Sequence, residues 1–82
     1  MFGPRADAIE SVIKRSYANW ADEPIPALGA RTPRQAMQHA AGLERVKGLL
    51  RSYEDSEAVE AARHGRRAIS YQFLWDALDL QR

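Results

Sequence analysis

The chain has 82 residues, twelve Lys and Arg against eleven Asp and Glu, a formal charge of +1 and no cysteine. A domain of this size buries only ~60–65% of its unfolded surface, so a substrate cavity with walls of its own is hard to build from it. Balanced, interspersed charge argues against the basic face of a nucleic-acid binder, and the missing thiols exclude disulfides and thiolate metal sites.

The first helix is expected from about Pro4 to Ala21. Ile9, Val12, Ile13, Tyr17 and Trp20 recur at spacings of three and four, an amphipathic stripe. The segment Asp22-Glu23-Pro24-Ile25-Pro26-Ala27-Leu28-Gly29-Ala30-Arg31-Thr32-Pro33 ends that helix. It is too stiff for a linker and too apolar for a solvated loop. Pro24 and Pro26 fix their own φ near −65° and push Glu23 and Ile25 toward extended geometry. Gly29 is suited to a turn with positive φ. Thr32 reads as an N-cap, Pro33 as the first helical residue and Gln35 as the partner in a capping box. Trp20, Pro24, Pro26, Leu28, Gly29, Thr32 and Pro33 therefore define a structural corner, with Pro24, Ile25, Pro26 and Leu28 expected to pack on Trp20 and the third helix.

A second, short helix is expected from Pro33 to about Ala41, with Gly42 as its stop or a bend. The third is expected over about 43–64, with a stripe of Leu43, Val46, Leu50 and Tyr53 widened by Leu49. Beyond Tyr53 the apolar phase slips to Val59 and Ala62, so either Asp55 or Ser56 caps a new helix or, the favoured reading, one helix continues to about His64, with Gly65 a natural stop. The last helix, about 70–79, carries Tyr71, Leu74, Trp75 and Leu78 on one face and Phe73, Ala77 and Leu80 on another. A helix apolar on most sides calls for cover on most sides. No strand-like alternation competes. The expected architecture is all-α: one domain over residues 1–82, a small irregular bundle of about four helices around a proline-rich apolar corner loop.

No residue group calls for catalysis, a cofactor or a metal. His39 and His64 lie on different expected helices without a second ligand at metal-site spacing. There is no nucleophile elbow and no glycine-rich phosphate loop. Glu54, Asp55 and Glu57 read as a solvated acidic face. Arg63, Arg66 and Arg67 surround His64 and Gly65; they read as cations at a helix C-terminus, or as a contact for phosphate or an acidic partner. No run reaches the ~18–20 apolar residues that cross a bilayer, and no charged-then-apolar leader is seen at the N-terminus, so a cytoplasmic protein without membrane contact is expected.

Trp20, then Pro24-x-Pro26-Ala27-Leu28-Gly29, then Thr32-Pro33-Arg34-Gln35-Ala36, then Val46 and Leu49-Leu50, resembles the toxin-binding domain of Xre/MbcA/ParS-type bacterial antitoxins. Their pattern is a tryptophan, a proline-containing loop, Leu-Gly-Gly, and Thr-Pro opening a short helix. The match covers about residues 20–53, and similar variants occur in other bacterial proteins. Two departures stand out. The second glycine of the family is Ala30 here, and 82 residues leave no room for the helix-turn-helix that such antitoxins carry. The resemblance implies a non-enzymatic protein-interaction domain that neutralises a partner enzyme by covering or plugging its active site, itself a candidate homodimer. Tyr71, Phe73, Trp75, Leu78, Leu80 and Arg82 are the expected partner-facing residues. The alternatives are an accessory nucleic-acid module using Arg31, Arg63, Arg66 and Arg67, and a structural accessory domain of a larger bacterial protein.

Overall fold

The computed structural model describes residues 4–81. Four α-helices follow one another: α1 (Pro4–Ser16), α2 (Pro33–Ala36), α3 (Ala40–Arg63) and α4 (Gln72–Ala77). Two short 3-10 turns, Trp20–Asp22 and Pro26–Leu28, lie between α1 and α2. Among the described residues there is no strand, and the fold is all-α; Ile25 and Arg31 form an isolated bridge.

The spine is α3. Val46, Leu50, Glu57 and Ala61 are buried along it, with Tyr53 half-buried between them. Their spacings of three and four place them on one helical face. The helix runs unbroken through residues 53–56. Val59, where the sequence pattern restarts the stripe, is instead 58% exposed. Glu57 and Ala61 continue the original stripe, so the phase does not slip. Gly65, at φ +64°, ends the helix. Arg66 N–H bonds to the Ala61 carbonyl at 2.9 Å and Gly65 N–H to that of Ala62 at 3.3 Å, a Schellman termination.

Helix boundaries differ from expectation in three places. α1 stops at Ser16, well before Ala21. The Ser16 hydroxyl donates back to the Val12 carbonyl at 2.9 Å, and Ala18 and Trp20 N–H bond three residues back to Arg15 and Tyr17. Serine and asparagine compete with the helical backbone in this way, and the chain tightens into a 3-10 turn that carries Trp20 into the core at 3% exposure. α2 ends at Ala36, and α3 already begins at Ala40, so Gly42 lies in the first turn of α3 and not at a helix stop. α4 is shorter than 70–79. The Ser70 hydroxyl accepts the Gln72 N–H at 3.1 Å at its start. Asp79, at φ +57°, ends it with Leu80 N–H on the Trp75 carbonyl at 2.9 Å.

The core gathers Trp20, Leu28, Ala36, Val46, Leu50, Tyr71, Leu74, Trp75 and Leu78 from the corner, α2, α3 and α4. The molecule is elongated, 46 × 22 × 21 Å. Ile13 of α1 and Tyr17, just past its end, pack against the core, whereas Val12 is 55% exposed.

Gly42 lets α2 and α3 touch: a Cβ there would overlap the Ala36 carbonyl group. Gly48, also inside α3, faces open space. Gly42→Ala is therefore expected to destabilise by more than about 1 kcal/mol, while Gly48→Ala stabilises by about 0.5–1 kcal/mol through helix propensity. Urea unfolding of the two variants checks the opposite signs.

Candidate functional site

The corner forms as a closed backbone loop. Glu23 (φ −108°, ψ 139°) and Ile25 (φ −114°, ψ 124°) are extended ahead of their prolines. Ile25 N–H donates to the Arg31 carbonyl at 3.0 Å, and Ile25's own carbonyl accepts Leu28 N–H at 2.9 Å and Ala30 N–H at 3.0 Å. Gly29 takes φ +68° and Ala30 φ +65°. Thr32 and Gln35 form the reciprocal capping box, both bonds at 3.0 Å. Leu28 and Pro33 are buried and Ile25 half-buried. Pro24 and Pro26 are exposed, which corrects their expected packing role: they act on the backbone, not as core side chains. Arg34 and Asp22, 2.9 Å apart, tie the two ends of the corner. That pair is exposed and adds little stability.

The two faces of the last helix separate by burial. Tyr71, Leu74, Trp75 and Leu78 are 7%, 1%, 1% and 2% exposed. This corrects the reading of Tyr71, Trp75 and Leu78 as partner-facing: they belong to the core of this chain. Phe73 and Leu80 are half-buried and pack at its edge, and Arg82 lies outside the described residues. Phe73 belongs to an aromatic cluster. It stacks on Tyr71 at 5.9 Å, Tyr17 meets Tyr71 edge-on at 5.8 Å and lies tilted against Tyr53 at 5.6 Å, and Lys14 Nζ lies 5.9 Å from the Phe73 centroid. Both indoles find polar partners on α3. Trp20 Nε1 donates to the Tyr53 hydroxyl at 3.2 Å and Trp75 Nε1 to Glu54 at 3.1 Å. Arg51 lies over the Trp75 ring at 5.8 Å.

Of the acidic cluster only Asp55 is exposed; Glu54 is half-buried against Trp75 and Glu57 turns inward. Glu57 is 7% exposed. It receives both terminal nitrogens of Arg66, a bidentate pair, and the Ile69 N–H at 2.9 Å. Glu60 faces Arg63 at 3.4 Å and His64 at 3.2 Å. The basic cluster at 63–67 is thus largely matched by carboxylates of α3, with Arg67 exposed beside it. That leaves little free charge for phosphates. The Arg66 hydrogen bonds hold the Glu57 carboxyl below its ordinary value of 4.5 against the opposing effect of burial, helped by the Ile69 amide. Burial pushes the Tyr71 phenol up to about 12. Among the described residues no three of His, Cys, Asp and Glu converge to hold a metal, and no helix is long and apolar enough to cross a membrane.

Comparison with protein-family models, curated proteins and solved structures finds no match to this chain.

Glu57 and Tyr71 define opposite pH limbs, and Tyr53, whose phenol burial also pushes up, adds to the alkaline one. Glu57 titrates lower in the folded chain, so its contribution is complete above about pH 4.5 and lost as pH falls through the folded value. Tyr71 titrates higher in the folded chain, so its contribution is complete below about pH 10 and lost as pH rises toward about 12. Glu57→Gln is expected to cost about 2–3 kcal/mol at neutral pH, as charge-assisted hydrogen bonds do, and to flatten the acid limb. Tyr71→Phe is expected to flatten the alkaline limb in part, leaving the Tyr53 contribution and the acid limb unchanged. Urea midpoints across pH 3–11 measure both.

Proposed function

We propose that this chain is a non-enzymatic protein-interaction domain of the kind bacterial antitoxins use to bind and neutralise a toxin enzyme in the cytoplasm. The observation that carries the reading is the pair of successive left-handed residues, Gly29 and Ala30, two positions ahead of the Thr32 capping box. A backbone of that form asks for glycine at both positions, because a Cβ is disfavoured there. Leu-Gly-Gly followed by Thr-Pro is the pattern of the antitoxin domain. Ala30 stands where that pattern has its second glycine, and its positive φ is one that a glycine adopts without strain.

The surface available to the partner lies at α1 and the edge of the aromatic cluster. Ala8, Ile9, Val12 and Ile13 border an open apolar depression of about 250 Å³ on α1. Tyr17 and Phe73 are each only half-buried. Apolar and aromatic side chains at the centre of a contact supply most of its energy. An enzyme partner covered by this face loses access to its substrate, which is the neutralising step the resemblance implies.

The geometric part is tested by Ala30→Gly. Relief of a left-handed Cβ, less the added freedom of the unfolded chain, is expected to stabilise by about 0.5–1 kcal/mol. Destabilisation in thermal melts would remove the carrying observation. The functional part is tested in the native host. The chain, tagged and captured from cells, is expected to bring down an enzyme whose gene alone arrests growth and whose effect co-expression of the chain relieves. Val12→Asp, at an exposed position, is expected to keep the fold within about 0.5 kcal/mol yet lose the rescue. A captured partner that is harmless on its own, or a self-associating chain that captures nothing, counts against the reading.

A further inference from the structure

The corner loop, α2 and the first turn of α3 enclose a depression of about 410 Å³. Arg31, His39 and Arg45 line it, over an apolar floor that includes Leu28 and Ala36, and no carboxylate is among the lining residues. Lys14, Arg34, Arg63, His64 and Arg66 each face an acidic side chain, whereas Arg15, Lys47, Arg51 and Arg67 form no ion pair among the described residues. Arg31, His39 and Arg45 make no ion pair among the described residues. Arg31 and Arg45 border the same concavity, and two like charges there favour an anion between them. Ala41 and Gly42, in the opening turn of α3, also line the depression. His39 makes no side-chain cap to that turn, and the turn carries no acidic residue.

We infer that this depression is a binding site for a small organic phosphate monoester. Two guanidinium forks suit a group carrying about −1.5 to −2 charge at pH 7, which a phosphate monoester has and a carboxylate does not. The volume falls within the ~300–1,000 Å³ of small-molecule sites, and a bare phosphate fills little of it. The apolar floor takes the organic body of the ligand. This site is independent of the antitoxin-type reading, which concerns α1 and the aromatic edge.

The probe is phenyl phosphate, added to the isotopically labelled full chain and followed by amide NMR. The controls are inorganic phosphate, benzoate and phenol. Saturable shifts are expected at Gly29, Ala41 and Gly42 with phenyl phosphate, about tenfold or more tighter than with any control. The double variant Arg31→Gln/Arg45→Gln, both exposed positions, is expected to melt as the parent does and to bind about tenfold or more weakly, the loss of at least one charge-assisted hydrogen bond. Absence of saturation by about 10 mM, below the affinity of a specific site, overturns the assignment. So does equal binding of inorganic phosphate or benzoate, which marks general anion attraction, and so does a double variant that binds as well as the parent.

Discussion

A carboxylate at a core position decides where the last part of this chain goes. Glu57 occupies the α3 stripe between Tyr53 and Ala61, where a leucine would be the simpler choice. Burying its charge is costly in isolation. Arg66 and the Ile69 amide offset that cost, and both lie beyond the end of α3. The pairing therefore does more than satisfy a buried group. It holds the 66–71 connection against α3 and sets the direction from which α4 returns. α4 then delivers Leu74 and Trp75 to the core, with Tyr71 and Leu78 at its ends. Each large apolar side chain contributes about 1.5–3 kcal/mol by burial, so the placement of α4 accounts for much of the stability of so small a domain.

The same face of α3 resolves a second problem. Two tryptophans are nearly fully buried, and each brings an N–H that needs an acceptor. Tyr53 and Glu54 supply them from adjacent positions of α3. The buried side-chain nitrogens and oxygens of the described residues all have partners. One helix thus provides the apolar stripe, the carboxylate clamp and both indole acceptors, which is why short flanking helices suffice to cover it.

The local grammar was legible in the sequence, and the long-range polar pairs were not. Thr32, Pro33 and Gln35 form the capping box that their order announces, and Gly29 and Gly65 take the positive φ that their positions imply. These depend only on neighbours in the chain. The division of α4 into a Tyr71/Leu74/Trp75/Leu78 face and a Phe73/Ala77/Leu80 face was also legible, because helical period fixes it. Which face was inward was not, since the cover comes from the corner and α3, far away in sequence. Glu57 was misread for the same reason. Hydrophobicity patterning skips a buried acid, so the stripe appeared to slip to Val59 when it ran on through Glu57 to Ala61. The available signal was geometric: Glu57 stands seven residues after Leu50 and four before Ala61, with Arg66 just past the helix stop. α1 was overextended because Trp20 fits the helical stripe equally well on a 3-10 turn.

The corner shows how such a domain can present a rigid surface with little core. Among the described residues, left-handed backbone occurs at Gly29, Ala30, Gly65 and Asp79. Glycine adopts it freely, and aspartate is among the residues that tolerate it. Ala30 has neither advantage, and its left-handed form costs about 1–2 kcal/mol. It is held there by closure of the loop: its own N–H on the Ile25 carbonyl, and Ile25 N–H on the Arg31 carbonyl. Net gains of about 0.5–1.5 kcal/mol for each such bond are of the right size to sustain the strain. The shape of the corner is therefore set during folding by Ile25, Leu28 and the Thr32 cap. A surface ordered in advance loses little conformational freedom when a ligand or partner arrives. That preorganisation lets a loop whose prolines point to solvent serve both as the joint between α1 and α2 and as one wall of a binding depression.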